Sequence, residues 1–361
     1  MKRLLSILLW VAVALSVSAR VTEHVLYYAS VDQHGETLTL SGKVSVPDEP
    51  KGIILLPHFT IASNDEVPST STTGEAKFLR DGYVLIMPDY IGYGVSRERV
   101  HPYLRGDLTA RNCVDMLFAS WPVLDSLGVT LPKDTINIVG FSQGGAAALW
   151  TLKLIEEEYA DRVYVRRCLA GSGPYDVAVT YDEAVMHNKV GLPIVIPMLV
   201  MGTSEAYDLG LRREDFFTPV MDSRYDEYVT AKEHKIPYLF FHMPSHKVSY
   251  WLTSSGADKS QPETRKMYEG LLRSSLVHYP IDTCAVGQEI ICHDWRPRAE
   301  VYVFHSYDDR IVTFHCAEHL RRCWQDLPNV TYDFGHYGNH MRSMITFFPK
   351  VKKKLIAETN Y

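Results

Sequence analysis

Thr135-Ile136-Asn137-Ile138-Val139-Gly140-Phe141-Ser142-Gln143-Gly144-Gly145 reads as a short apolar strand running into a tight turn. The segment that follows is rich in Ala and Leu, with Ala148, Leu149, Leu152 and Ile155 spaced as one face of a helix. A G-x-S-x-G match alone is weak, but strand before and helix after give it meaning. Glycines beside the serine let the backbone make a strained turn where larger neighbours would clash. The hydroxyl then stands at a helix N-terminus, where N–H groups and the dipole favour developing negative charge. Ser142 is therefore a candidate nucleophile. A glycine-rich turn with an incidental serine fits this setting poorly, and no Lys-Ser/Thr follows as a phosphate loop requires.

Outward from this turn, short apolar runs alternate with helical stretches. The start of the predicted mature chain reads as a hairpin, His24 to Val31 and Thr37 to Val46, turning at Gln33-His34-Gly35. Gly52-Ile-Ile-Leu-Leu-Pro57 and Tyr83-Val-Leu-Ile-Met87 are strand-like, with a helical piece at Gly74 to Arg80 between them. A helix is predicted from about Leu108 to Leu127. Later come the strand Val301-Tyr-Val-Phe304, a helix over Thr313 to Leu327, the strand Val330-Thr-Tyr-Asp-Phe334, and a closing helix from His340 to about Ile356. Continuously apolar short strands between helices predict an α/β chain, its mostly parallel central sheet covered on both faces. From about 174 to 297 the pattern loses this period and becomes rich in aromatics, Met and Pro. That segment reads as an inserted cap or lid within one domain spanning 20–361.

A serine hydroxyl needs a base, and the base an orienting acid. With a nucleophile on such a turn, acid and then base follow in the chain, each in a loop after a late strand. His305-Ser306-Tyr307-Asp308-Asp309-Arg310-Ile311-Val312 offers Asp309, preferred because Ile311-Val312 would seat the loop, and Asp308 as alternative. Gly335-His336-Tyr337-Gly338-Asn339-His340 offers His340, at the head of the closing helix, with His336 as alternative. Amides for an oxyanion are expected from Gln143 and from Phe59 or Thr60 in the loop His58-Phe59-Thr60. Asp89 reads as a framework residue of the turn after its strand.

These motifs, together with Pro57-His58-Phe59-Thr60 and Pro88-Asp89-Tyr90-Ile91-Gly92-Tyr93-Gly94, resemble the α/β-hydrolases of the secretory lipase and carboxylesterase group. The resemblance covers about residues 35–170 and 295–350, with the insertion matching only loosely. It implies the α/β-hydrolase fold and cleavage of carboxylic esters beneath a helical lid by Ser142, Asp309 and His340, without a cofactor. Phe59 stands where such proteins usually have Gly. An exported serine peptidase of the same fold is the nearest rival, separable by ester and peptide-anilide assays. A non-catalytic binding protein would show neither turnover nor covalent labelling.

The 361 residues, 46% hydrophobic and 22% charged, are ordinary for one large domain. Lys2 and Arg3, the apolar Leu4 to Leu15 and the small residues Ser16 to Ala19 form a secretory leader at 1–19, cut near Ala19. The expected location is secreted or periplasmic, with no stable membrane span. Losing the leader takes the formal charge from −6 to −8. Such a chain carries no basic footprint for nucleic acid. A small-molecule or lipid ester substrate fits better.

Six cysteines allow disulfides in that compartment, with Cys284 and Cys292 the pair nearest a simple loop. Cys316 and Cys323, seven apart on one predicted helix, are too far apart to join each other. His315, His319 and Cys323 share a helix face, but no second ligand motif supports a metal. The apolar stretch Gly191 to Met201 is either an acyl-chain wall or cap packing.

Overall fold

Along the central strands, side chains alternate between two apolar layers. Ile53, Leu55, Val84, Ile86, Ile136 and Ile138 enter one, and Ile54, Leu85, Met87, Val139 and Phe141 the other. Each such side chain, fully buried, contributes roughly 1.5–3 kcal/mol, so the period of two fixes the register of the strands. The computed structural model describes residues 21–80, 82–280 and 290–356. The leader expected at 1–19 and Cys284 lie outside the described residues.

The strands are β1 (Val21–Val31), β2 (Thr37–Pro47), β3 (Ile53–Leu55), β4 (Val84–Pro88), β5 (Thr135–Phe141), β6 (Tyr164–Gly171), β7 (Val277–His278), β8 (Ile291–Cys292), β9 (Glu300–Ser306) and β10 (Val330–Gly335). Eight form one sheet in the order β1-β2-β4-β3-β5-β6-β9-β10, while β7 and β8 make a small ribbon. The hairpin β1–β2 and the pair β2–β4 are antiparallel, and the other neighbours in the sheet are parallel.

The helices are α1 (Gly74–Leu79), α2 (Gly106–Ser126), α3 (Gln143–Glu158), α4 (Val177–Met186), α5 (Val195–Tyr207), α6 (Arg213–Phe216), α7 (Pro219–Tyr225), α8 (Ile236–His242), α9 (Val248–Trp251), α10 (Ser254–Ala257), α11 (Pro262–Ser274), α12 (His315–Cys323) and α13 (His340–Ile356). Residues of α2, α3 and α12 fill one face of the sheet, and α1 and α13 cover the other. The predicted alternation misses β6, because Arg166-Arg167 interrupts its apolar run. In the sheet, Arg167 reaches Glu300 on the neighbouring β9 (2.7 Å). Helix α12 is shorter than its predicted span, ending at Cys323.

Between β6 and β9, α4 to α11 build a second apolar cluster around Ile194, Val200, Phe216, Met221, Trp251 and Met267. This inserted segment leaves and rejoins the sheet domain at one place. The Tyr175 carbonyl accepts from Leu276 and Val277 (2.8 and 3.2 Å). The buried Asp176 carboxylate caps α4 through the Val179 amide and holds both His278 (2.9 Å) and His319 of α12 (2.7 Å). A second tie is the Lys232 ammonium, which donates to the carbonyls of Gly92, Arg97 and Arg99, each at 2.6 Å.

The disulfide joins Cys292 to Cys323, with Cα atoms 5.7 Å apart. The sequence leaves the pairing open, Cys284 and Cys292 being only the pair nearest a simple loop, and Cys292 is bonded to Cys323 instead. Nearness in sequence mattered less than the packing of α12, whose last residue lies beside β8. Cys113, Cys168 and Cys316 are buried free thiols. Non-reducing peptide mapping should therefore recover a Cys292–Cys323 linked pair. Native-state alkylation should leave Cys113, Cys168 and Cys316 unmodified until the chain is denatured. The Cys323→Ser variant should lose roughly 2–4 kcal/mol of stability, read by urea unfolding.

Candidate active site

Ser142 sits between β5 and α3 with φ 59° and ψ −127°, a region that L-residues avoid. The turn survives because its flanks have no side chains. A Cβ on Gly140 would lie 2.0 Å from the Gly144 carbonyl oxygen, and one on Gly144 2.2 Å from that of Pro57. The glycines thus allow the serine turn to press against the chain leaving β3, where the loop His58-Phe59-Thr60 begins.

Three side chains from distant parts of the chain meet at this turn. His340, at the start of α13, places Nε2 2.9 Å from Ser142 Oγ and Nδ1 2.6 Å from Asp309 Oδ2. All three are buried. Asp309 lies in the loop after β9, where its Oδ1 accepts from the Ile311 and Val312 amides (2.9 and 3.1 Å). Burial acts to raise its pKa, but the charge and hydrogen bond of His340, with the added pull of His305 and the Ile311 amide, hold it below the ordinary value. The alternatives Asp308 and His336 instead bond each other at the surface, at 3.0 Å.

In the loop His58-Phe59-Thr60, the two amides expected as alternatives differ. Phe59 does not offer a free amide, because its N–H donates to Glu75 Oε1 at 2.8 Å. Among the described residues, no acceptor engages the amides of Thr60 or Gln143. The Gln143 side chain is fixed as well: it donates to His101 Nε2 (2.9 Å), whose Nδ1 bonds the Ile91 carbonyl (2.7 Å). Burial lowers the His101 pKa to about 3, so the ring is neutral and its Nε2 can accept. His58 is buried in the loop, stacked on Tyr90 at 4.0 Å and with Nδ1 2.6 Å from the Phe59 carbonyl oxygen. Asp89 accepts from Ser41 Oγ (2.6 Å) and the Ser69 amide (2.9 Å), tying β2 to the loops.

Above Ser142 opens a mostly apolar cavity of about 360 Å³, walled by Val177, Leu192, Val195, Leu199, Phe241 and Met344. The Gly191–Met201 stretch divides between two surroundings. Leu192, Val195 and Leu199 face the cavity, while Ile194 and Val200 pack inside the inserted segment. The helix face read against a metal is engaged otherwise. His315 pairs with Glu183, His319 with Asp176, and Cys323 with Cys292.

The strand order, the strained serine between β5 and α3, and the two late loops define an α/β-hydrolase fold. No protein-family model matches the chain. Among solved structures, it is similar to the rice cell wall degrading esterase LipA of Xanthomonas oryzae, with a TM-score of 0.79, 19% identity, and 95% of this chain and 92% of that one covered. It is also similar to Candida antarctica lipase A in its closed state, with a TM-score of 0.66, 14% identity, and coverage of 93% and 78%. Coverage this complete takes in the inserted segment as well as the sheet. In sequence, the chain is 25% identical over 264 residues to the secreted triacylglycerol lipase LIP5 of Malassezia furfur, covering 72% of this chain. The match spans 61% of that lipase's own length.

Asp309 also makes stability depend on pH. Its pKa is lowered in the fold, so its ionisation favours the native state above the unfolded value of about 3.9. That contribution is lost as pH falls through the folded value. Thermal melts of Asp309→Asn should trail the wild type at neutral pH, and the gap should narrow as pH falls below the unfolded value of about 3.9. A gap that does not narrow on acidification would mean that the carboxylate's charge plays no part.

Proposed function

We propose that this chain is a carboxylic-ester hydrolase in which Ser142 is the nucleophile, His340 the base and Asp309 the residue that orients the base. The observation that carries this reading is the hydrogen-bonded chain Ser142–His340–Asp309 at the floor of an apolar cavity. His340 Nε2 takes the proton from Ser142 as Oγ attacks the ester carbonyl carbon. The resulting oxyanion is held by the amides of Gln143 and Thr60. The protonated His340 then gives its proton to the departing alcohol, leaving an acyl-serine. Water, deprotonated by the same imidazole, attacks that ester, and the imidazolium returns the proton to Ser142 Oγ as the acyl–oxygen bond breaks and the acid leaves. Asp309 stays ionised throughout, which stabilises the imidazolium and fixes its tautomer.

The inserted segment is read as the cap that forms the acyl pocket, with α8 carrying Phe240 and Phe241 over its mouth. The apolar walls favour a hydrocarbon acyl chain over a peptide. The similarity to a secreted triacylglycerol lipase supports the same substrate class, and export with a leader cut near Ala19 belongs to this reading. A fluorophosphonate probe should label the wild type and leave Ser142→Ala unlabelled. Labelling that persists in the folded variant would sink the assignment. Across p-nitrophenyl esters from C2 to C16, kcat/KM should climb about threefold to fourfold per methylene, at ~0.8 kcal/mol each, until the cavity is full. A flat series, or faster cleavage of dipeptide anilides, would overturn the ester reading.

A further inference from the structure

Glu75 is a carboxylic acid with no exposed surface, held at the N-terminal end of α1. Oε1 accepts the Phe59 amide (2.8 Å), and Oε2 has no hydrogen-bond partner among the described residues. Burial raises its pKa to about 7, against the pull of the Phe59 amide, its own amide and the Thr73 hydroxyl. A buried carboxyl with one oxygen unsatisfied costs stability. Its position accounts for its presence.

Two peptide planes flank the Phe59 Cα. The first contains the His58 carbonyl and the Phe59 N–H. It is pinned by the Tyr90 hydroxyl on the oxygen (3.1 Å) and by Glu75 on the nitrogen. The second contains the Phe59 carbonyl and the Thr60 N–H, and His58 Nδ1 lies 2.6 Å from its oxygen. All described peptide bonds are trans, so the Thr60 N–H points opposite to the Phe59 carbonyl. His58 Nε2 in turn faces the Asp89 carbonyl (3.2 Å), so the Nδ1–H tautomer is the one that holds the Phe59 oxygen. With both planes held, the dihedrals of Phe59 and the direction of the Thr60 N–H are restrained together.

We propose that Glu75 is a positioning residue of the oxyanion site: it anchors the Phe59 amide so that the next amide, that of Thr60, is presented to the substrate carbonyl oxygen. This rests on the ester-hydrolase reading above. Glu75 touches neither substrate nor Ser142, so its loss acts on the transition state through the loop. Substrate binding in the cavity is left nearly intact.

The test compares Glu75→Gln with Glu75→Met in the full chain. Gln keeps an acceptor for the Phe59 amide, and Met keeps the bulk without one. On a p-nitrophenyl ester, E75Q should stay within about threefold of wild-type kcat. E75M should lose about tenfold to a hundredfold in kcat, less than the 10²–10³ of a deleted oxyanion donor, with KM within about twofold. An E75M that melts like the wild type and keeps its kcat overturns the proposal, as does an E75Q as impaired as E75M. If E75M fails to fold, Glu75→Asp decides, since it withdraws the carboxylate by one methylene. Wild-type kcat in E75D overturns the proposal, and a kcat loss at constant KM supports it. Wild-type protein without ester turnover or fluorophosphonate labelling would instead overturn the parent reading.

Discussion

The structure around the site depends on backbone pressed against backbone where β5 turns into α3. Ser142 holds φ 59° and ψ −127° only because Gly140 and Gly144 have no Cβ. Without that approach the serine turn and the end of β3 would separate. The loop His58-Phe59-Thr60 would then no longer lie against the turn that carries Ser142. The strain is supported by the sheet, where β5 is bordered by β3 and β6 and its apolar side chains are buried on both faces.

The floor beneath this turn is made of polar groups out of contact with water. His58, His101, Tyr90 and Glu75 are all buried, and each bonds either a peptide of the loop His58-Phe59-Thr60 or the Gln143 side chain. Water would reorient such groups, whereas a dry setting keeps their dipoles fixed before substrate arrives. The two histidines are kept in the neutral form by burial. The fixed charge at the site is therefore left mainly to Asp309, on the far side of His340.

What the sequence disclosed follows from how local the signals are. The central strands and main helices were readable because their apolar periods are short and repeat within a few residues. β6 was hidden by Arg166-Arg167, whose place in the fold depends on β9, more than a hundred residues away. The sequence ranked Asp309 over Asp308 by the apolar pair Ile311-Val312, and His340 over His336 by its place at the head of α13. In the fold Asp309 and His340 meet beside Ser142, while Asp308 and His336 bond each other at the surface, a difference no local pattern encodes. Glu75 and His101 left no pattern at all. Each acts through a single hydrogen bond to a group on another element, and no spacing rule encodes that. The same holds for Cys292 and Cys323, brought together by helix packing.

The junction at Tyr175 and Asp176 has a consequence for how this fold can change. The inserted segment begins and ends within a few ångströms, strapped there by the Tyr175 carbonyl and by His278 on the Asp176 carboxylate. A chain that departs and returns at one spot can be lengthened, shortened or exchanged without altering the register of any sheet strand. The loops that carry Ser142, Asp309 and His340, and most of the wall of the cavity above them, thus lie on separately inheritable pieces of sequence. Drift in the inserted segment would redraw the shape of that cavity while leaving the serine turn and the two late loops in place.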